Sequence, residues 1–194
     1  ATRKIFAGKT LAGAATTLLV VGGTYASSWL LLALLARWSA AAAVVASIFL
    51  IYTTLSARCL FDESRPVAKC LLENDLASAR RNLAMIVGRD TDNLNEKEGI
   101  RATVETVAEN TVDGIISPLF YACVGGAPLA LAYKAVNTLD SMFGYRNERY
   151  MQFGCIPARL DDAANWIPAR IAGPVIALAA ALCGFDGIRA IKTV

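Results

Sequence analysis

Two long stretches without a charged side chain constrain the fold of this chain more than any other feature. Residues 10–36 and residues 38–57 carry no Asp, Glu, Lys or Arg, and Arg37 alone separates them. Each stretch reaches the ~18–20 apolar residues that an α-helix needs to cross a bilayer. We therefore predict two transmembrane helices, at about residues 10–36 and 38–57, joined by a tight turn.

A third uncharged stretch, residues 114–133, is interrupted by helix breakers. Pro118 lies near its start, and Gly125, Gly126 and Pro128 follow close together. Proline removes a backbone donor, and a Gly-Gly-Ala-Pro segment favours a turn. We predict a broken or re-entrant helix whose two halves meet at residues 124–128. A re-entrant hairpin would return the chain to the membrane side that it left, whereas a spanning helix would not.

The remaining segments complete an all-α, polytopic integral membrane protein with amphipathic cytoplasmic helices. Hydrophobic residues make up 56% of the chain, above the roughly 45–50% of soluble domains. Residues 171–190 are expected to form a transmembrane or interfacial helix. Residues 58–113 contain eight Lys and Arg residues, which the positive-inside rule places in the cytoplasm. If residues 114–133 are re-entrant, the polar block 134–170 faces the cytoplasm too.

The polar block 58–113 is predicted to be helical. Ser64 and Pro66 are typical of a helix start, with Ser as the cap and Pro in the first turn. Apolar spacing predicts a helix over 75–87 that stops at Gly88. A further helix is predicted over 98–112, with the apolar face Ile100, Val104 and Val107 buried.

The chain contains no histidine, and this absence restricts its chemistry. Histidine-based triads, imidazole bases and histidine metal ligands are excluded. Five cysteines are present without a C-x-x-C pair, and we expect them to be small buried hydrophobes rather than metal ligands. The formal charge of +3 is too small to indicate a nucleic-acid partner. Acid–base or metal chemistry must then use carboxylates, amides, hydroxyls, Lys and Arg.

Charged residues spaced four apart form a stripe on the predicted helix 98–112. The stripe consists of Arg101, Glu105, Glu109 and Asp113. Neighbouring carboxylates on one helix face repel each other, by roughly 0.2–0.5 kcal/mol per pair. A bound Mg²⁺ or a cationic substrate group would relieve that repulsion. The alternative interpretation is a solvated acidic face.

An Asn-Thr-x-Asp motif occurs twice, 27 residues apart. The first copy contains Asn110 and Asp113, and the second contains Asn137 and Asp140. One interpretation is a helix N-terminus, with Asn as the cap and Asp three residues later. The other is a pair of amide–carboxylate clusters at the mouth of a membrane cavity, where polar groups are costly unless they bind something.

An Ile-Pro-Ala-Arg repeat ends at Arg159 and again at Arg170, and it encloses Asp161, Asp162 and Asn165. An Asp-Asp-x-x-Asn sequence can hold a divalent cation, and flanking arginines can hold its phosphates. Helix-surface ion pairs are the alternative. Earlier in the chain, residues 89–91 combine a basic residue, a carboxylate and a hydroxyl, which suits an anion site or a plain surface turn.

Several of these motifs occur together in one known family. They are residues 88–91 (GRDT), 105–114 (ETVAENTVDG), 117–121 (SPLFY), 132–142 (AYKAVNTLDSM), 144–150 (GYRNERY) and 158–170 (ARLDDAANWIPAR). Their order and spacing resemble the CobD/CbiB family, the adenosylcobinamide-phosphate synthases of cobalamin biosynthesis. The resemblance is dense over residues 58–170, and the flanking segments match only as apolar helices.

The resemblance implies an ATP-dependent amide ligase of the inner (plasma) membrane. Such an enzyme attaches (R)-1-amino-2-propanol, free or phosphorylated, to the propionate carboxylate of adenosylcobyric acid. Its implied cofactor is Mg²⁺, and ATP is the co-substrate. The implied partners are adenosylcobyric acid, aminopropanol phosphate, ATP and the bilayer, with no nucleic acid. The resemblance is compatible with a homo-oligomer and with a complex with other late cobalamin enzymes.

The resemblance locates the site, and residue type suggests the roles. The predicted catalytic residues are Glu105, Glu109, Asn110, Asp113, Asn137 and Asp140. The predicted substrate- and phosphate-binding residues are Arg89, Thr91, Lys134, Ser141, Tyr145, Arg146, Arg149, Arg159, Asn165 and Arg170. The predicted metal ligands are Asp90, Asp113, Asp140, Asp161 and Asp162.

Two other functions compete with the ligase. A membrane Mg²⁺-dependent transferase on a pyrophosphate or lipid substrate would carry similar acidic motifs at helix mouths. A non-enzymatic membrane scaffold or transporter would tolerate substitution of the acidic stripes and would consume no ATP. Family members are longer than this chain, so we expect residues 1–194 to be one membrane domain from a longer protein.

Overall fold

The computed structural model describes residues 2–87, 91–144 and 152–185, with side chains from residue 8 onward. Within these ranges the chain is helical and has no strand, which confirms the predicted all-α class. The elements are α1 (Thr2–Trp38), α2 (Ala40–Thr54), α3 (Ala57–Leu72), α4 (Leu76–Ala84), α5 (Glu96–Thr111), a π-helical turn (Val112–Ile116), α6 (Ser117–Phe143) and α7 (Cys155–Leu182).

The two predicted helices are present, and a single residue separates them. Ser39 separates α1 from α2, and its side chain caps α2 by accepting from the Ala42 amide at 3.3 Å. Helix α2 ends at Thr54 rather than near residue 57, because Leu55 adopts an extended backbone. In the described part of the chain, four segments are long and apolar enough to cross a membrane: Gly8–Trp38, Ala40–Leu72, Glu96–Phe143 and Cys155–Leu182. The chain is a multi-pass membrane protein.

Helix α6 is broken where the sequence predicts a break. Gly125 (φ −143°, ψ 19°) and Gly126 (φ 69°, ψ −165°) leave the helical conformation. The rings of Tyr121 and Tyr133 nevertheless stack with centroids 5.0 Å apart, although 12 residues of straight helix would separate them by about 18 Å. The chain therefore reverses at the two glycines, and α6 is a helical hairpin with arms before and after them.

The chain divides into two compact units. The first contains Ala1–Leu55 and Ile116–Val194, and we call it the membrane unit; the second, Ser56–Ile115, is the α3–α5 unit. In the membrane unit, α6 packs against α1, α2 and α7. The start of α7 approaches the end of α6 so closely that a Cβ on Gly154 would collide with the Phe143 carbonyl. This close approach brings the polar residues of α6 and α7 together.

The α3–α5 unit has its own small core. Its centre consists of one residue from each of the three helices, Val67, Leu83 and Ala102, and each of them is 1% exposed. Partly buried apolar residues surround them, namely Leu71, Ile86, Val87 and Leu94. The core holds three amphipathic helices together, as the apolar spacing of α4 predicts.

Three sequence predictions for the α3–α5 unit are wrong in detail. Helix α3 does not start at Ser64 but runs through Pro66, which costs it one backbone hydrogen bond. Helix α4 ends at Ala84, before the predicted end at residue 87. Helix α5 starts at Glu96, because Asn95 and Glu98 form a capping box that the sequence analysis missed.

The apolar residues of α5 and the cysteines also differ from expectation. Ile100 is 45% exposed and Val104 63% exposed, whereas the buried face consists of small residues, Gly99, Ala102, Thr103 and Thr106. Small side chains let α5 lie close to α3 and α4, so the larger ones turn outward. None of the five cysteines is buried; Cys59, Cys123 and Cys183 are exposed.

Candidate functional site

A polar cluster inside the membrane unit joins both arms of the α6 hairpin to α7. Its centre is Asn165, whose Oδ1 accepts hydrogen bonds from Ser117 Oγ at 2.6 Å and from Tyr133 OH at 2.9 Å. Ser117 lies in the first arm and Tyr133 in the second. Ser117 is fully buried and Tyr133 is 3% exposed. Both arms of the hairpin therefore meet the same amide oxygen.

The cluster continues to a buried carboxylate one helical turn earlier in α7. Asn165 Nδ2 donates to Asp161 Oδ2 at 2.9 Å, and Asn137 Nδ2 donates to Asp161 Oδ1 at 3.5 Å. Lys134 Nζ donates to the Asn137 side-chain oxygen at 3.4 Å. Asp161 and Asn137 are each 8% exposed. The second arm of α6 thus presents an amide and an ammonium group on the same side as the buried carboxylate.

A second pair of carboxylates lies nearby along the same two helices. Asp140, which is partly buried on α6, comes three residues after Asn137, and Asp162, which is exposed on α7, follows Asp161 directly. The Asp140 carboxylate lies against Gly144, where an added Cβ would collide with it. Two carboxylates on facing helices can share one cation, which would remove their mutual repulsion.

The remaining predicted residues of the membrane unit lie on the same two helices, α6 and α7. Ser141 Oγ donates to the Asn137 carbonyl at 2.9 Å, so it bonds within its own helix. Arg159 is exposed. The Arg170 guanidinium lies 3.9 Å above the Trp166 ring and donates to the Trp166 carbonyl at 2.6 Å. Arg170 and the exposed Trp166 form a pair of the kind found at membrane–water interfaces.

The second group of predicted residues belongs to the α3–α5 unit and the turn that follows it. Glu105 and Glu109 are exposed on α5, and Asp113 is half-buried in the π-helical turn. Asn110 Nδ2 donates to the Thr106 carbonyl at 2.9 Å. Buried Thr91 donates its hydroxyl to the Arg80 carbonyl at 3.0 Å, which ties residue 91 to α4.

The capping interpretation of the Asn-Thr-x-Asp repeat is wrong for both copies. Asn110 lies in the last turn of α5, and Asn137 lies well inside α6, so neither residue begins a helix. Within a helix the backbone amides already bond to carbonyls of the preceding turn, so a buried Asn side chain there cannot cap them and needs other partners. In the second copy the Asn137 side chain has such partners in Asp161 and Lys134.

Five predicted residues lie outside the described part of the chain. They are Arg89, Asp90, Tyr145, Arg146 and Arg149. Their roles stay predictions.

Ser117, Tyr121 and Tyr133, whose hydroxyls bond to α7, were not predicted from the sequence as site residues. All three lie in the uncharged stretch 114–133, and a search for charged groups passes over it. Their signal was a set of hydroxyl side chains within an apolar segment, since such groups need partners away from water. Tyr121 OH finds its partner in the Ala164 carbonyl, at 2.9 Å.

The carboxylates of the described residues suit Mg²⁺ only in one of the ways in which proteins hold it. Across residues 8–87, 91–144 and 152–185, no three carboxylate or cysteine side chains converge on a common metal position. Mg²⁺, however, is usually held by one or two carboxylates together with water and substrate phosphates. Asp140 and Asp162, which lie on the packed helices α6 and α7, are the candidates for such a pair. The residues present therefore fit an ion that arrives with its phosphates rather than a closed protein cage.

Comparison with known proteins decides the family. The family described as CobD/Cbib protein matches residues 1–193. The chain belongs to the CobD/CbiB family. A "Cobalamin biosynthesis protein CobD" of Geobacter metallireducens is 60% identical over 144 residues, 74% of this chain and 45% of that protein. The protein of the same name from Citrobacter koseri is 56% identical over 147 residues, 76% of this chain and 46% of the relative.

A longer match comes from Listeria monocytogenes. Its "Cobalamin biosynthesis protein CobD" is 50% identical over 187 residues, which is 95% of this chain and 59% of that protein. The chain thus spans about half the length of the CobD/CbiB relatives that it matches. No solved structure matches. The names of these relatives indicate a role in cobalamin biosynthesis.

Proposed function

We propose that this chain is part of an ATP-dependent amide ligase of cobalamin biosynthesis. The enzyme would attach (R)-1-amino-2-propanol, or its phosphate, to the propionate carboxylate of adenosylcobyric acid, giving adenosylcobinamide or its phosphate. Membership of the CobD/CbiB family, whose relatives are named for cobalamin biosynthesis, is the observation that carries the proposal.

The chemistry of the cluster supports a reaction that needs no histidine. A carboxylate does not react with an amine until it is activated. One oxygen of the propionate would attack the γ-phosphorus of ATP, the bond to the β-phosphate oxygen would break, and an acyl phosphate and ADP would form. The amine nitrogen would then attack the acyl carbon, the bond to the phosphate oxygen would break, and the amine would lose a proton.

The roles of the residues follow from their charges and positions in this proposal. Lys134 and Arg159 would hold phosphate oxygens, and Asn137 would orient a reacting group by hydrogen bonding. Asp140 and Asp162 would hold Mg²⁺, which neutralises charge on the ATP phosphates when it is bound. Glu105, Glu109 and Asp113 would keep the catalytic roles that residue type and the family resemblance suggest for them. The polar blocks would face the cytoplasm, where ATP is available.

The test is the dependence of ADP release on both organic substrates. The full-length protein that contains this segment would be purified in lipid nanodiscs and given ATP and Mg²⁺. ADP release should require adenosylcobyric acid and aminopropanol phosphate together. A transferase would instead release pyrophosphate or no nucleotide product, and a scaffold or transporter would leave ATP unchanged; either result would reject the ligase.

A further inference from the structure

Three hydrogen bonds fix the Asn165 side chain, and each comes from a different segment. Ser117 belongs to the first arm of α6, Tyr133 to the second arm, and Asp161 to α7 itself. Both lone pairs of the amide oxygen are used by the two hydroxyls, and the amide nitrogen donates to the carboxylate.

Chemistry allows only this orientation of the Asn165 amide. A carboxylate accepts hydrogen bonds and cannot donate them, so the group that faces Asp161 must be the NH₂. A flipped amide would set its oxygen against the Asp161 carboxylate in a buried place, where repulsion between two acceptors is costly. The hydroxyls of Ser117 and Tyr133 hold the oxygen on the opposite side and thereby keep the NH₂ on Asp161.

We propose that Asn165 is a positioning residue that aims the Asp161 carboxylate, with Ser117 and Tyr133 holding Asn165 in place. Of the two amides that bond to Asp161, Asn165 makes the shorter contact, 2.9 Å against 3.5 Å for Asn137. Asn165 therefore fixes which oxygen of Asp161 remains directed toward Asn137. This role rests on the proposed ligase function, because it assigns Asp161 to that reaction.

The arrangement also links the hairpin to the carboxylate. Because Ser117 and Tyr133 reach the same oxygen, at 2.6 and 2.9 Å, their hydroxyl oxygens are at most about 5.5 Å apart, and the reversal at Gly125 and Gly126 allows this. Opening the hairpin would remove one or both hydroxyls from Asn165. The fold of an apolar segment thus determines the geometry of a charged group in the neighbouring helix.

A double-mutant cycle on the full-length enzyme tests the role. Tyr133→Phe and Ser117→Ala should each lower kcat for ADP release about fivefold, the effect of one lost hydrogen bond. Asn165→Ala should lower kcat by about tenfold to a hundredfold, since it removes a bond to a charged group. Tyr133→Phe should then cause a clearly smaller loss in the Asn165→Ala background than in the wild type, because the part of its effect that passes through Asn165 is already gone. KM for ATP and aminopropanol phosphate should stay within about twofold.

Tyr121→Phe is the matched control. Tyr121 stacks on Tyr133 with ring centroids 5.0 Å apart. Its replacement by Phe also removes one hydroxyl hydrogen bond, but the partner of that bond is the Ala164 carbonyl rather than Asn165. Its effect should be the same with Asn165 or Ala at position 165. A difference between the two tyrosines in the cycle would therefore isolate the Asn165 contact from general loosening of α6.

The outcomes separate this role from the ligase proposal. If Tyr133→Phe lowers kcat by the same factor in both backgrounds, or if the variants lower only the melting temperature, positioning by Asn165 is rejected while ligation stands. If the wild-type enzyme forms no amide, the ligase proposal fails and the role of Asn165 in it fails as well.

Discussion

At the scale of single residues, the paired carboxylates Asp140 and Asp162 give the most direct test of the site. If both carboxylates hold one Mg²⁺ with the ATP phosphates, Asp140→Asn and Asp162→Asn should each lower kcat at least about tenfold. Each variant should also need a higher Mg²⁺ concentration for ADP release. The double variant should be little worse than either single one, because both remove the same ion. Measuring ADP release against Mg²⁺ concentration checks this.

Asp62 provides the control for that pair. It is an exposed acid in α3 that bonds to the Arg58 side chain at 2.7 Å, and such surface ion pairs contribute little. Asp62→Asn should leave both the rate and its Mg²⁺ dependence unchanged. If Asp62→Asn and Asp140→Asn lowered kcat equally, the losses would reflect the overall charge of the protein rather than a Mg²⁺ site.

Gly144 tests the same carboxylate without changing any charge. A Cβ at this position would collide with the Asp140 side chain and approach its carbonyl oxygen to 2.7 Å. Gly144→Ala should therefore displace Asp140 and lower kcat to a level near that of Asp140→Asn. Gly23 in α1 has nothing within 4 Å of an added Cβ, so Gly23→Ala should keep full activity. An active Gly144→Ala enzyme would show that the position of the Asp140 carboxylate is unimportant.

At the scale of helices, the start of α4 gives a pH-dependent prediction. Asp75 caps this helix by accepting from the Ser78 amide at 3.0 Å, and its hydrogen bonds to Ser78 lower the pKa of the carboxyl below its usual value. A lowered pKa in the folded state means that the cap stabilises the fold above the unfolded pKa of about 3.9. That stabilisation is lost as the pH falls through the folded pKa.

Asp75→Asn separates the cap from its charge. Asparagine caps a helix about as well as aspartate but does not titrate in this range. The wild-type protein should therefore melt at a higher temperature than Asp75→Asn at pH 6, and the difference should shrink or reverse toward pH 3. Thermal unfolding followed by circular dichroism measures this. A difference that does not change with pH would contradict the lowered pKa.

The α6 hairpin shows where sequence reasoning succeeds for an element. Gly125, Gly126 and Pro128 predict a break, because local backbone chemistry alone prevents a straight helix. The sequence could not tell that Ser117 and Tyr133 would share one acceptor on α7, since that depends on how the arms pack. The same limit explains Ile100 and Val104, whose apolar spacing predicts burial although small residues occupy the α5 interface.

The α6 hairpin requires a glycine at position 126. The Gly126 φ of 69° and ψ of −165° lie in a region that is essentially restricted to glycine. Gly126→Ala should lower the free energy of unfolding by about 1–3 kcal/mol and, through Ser117 and Tyr133, reduce activity. Gly22→Ala, where an added Cβ meets nothing within 4 Å, should not destabilise α1. Denaturant unfolding in the same detergent compares the two variants.

At the scale of the whole molecule, the path of the chain through the bilayer remains a prediction, and the native cysteines can test it. Cys59 follows the second membrane helix, Cys123 lies near the tip of the α6 hairpin, and Cys155 begins α7. If the hairpin is re-entrant, the chain enters and leaves it on the same side of the membrane. A spanning segment would place Cys59 and Cys155 on opposite sides.

Single-cysteine versions that retain only Cys59, Cys123 or Cys155 distinguish these two paths. A membrane-impermeant maleimide should label Cys59 and Cys155 in inside-out vesicles but not in intact cells with the outer membrane removed. Cys123 is exposed on the protein surface, so lipid around the hairpin tip should prevent its labelling from either side until detergent is added. Labelling of Cys155 from outside the cell would exclude the re-entrant path. It would also place the polar block 134–170 away from cytoplasmic ATP, and the proposed ligase site could not then work as described.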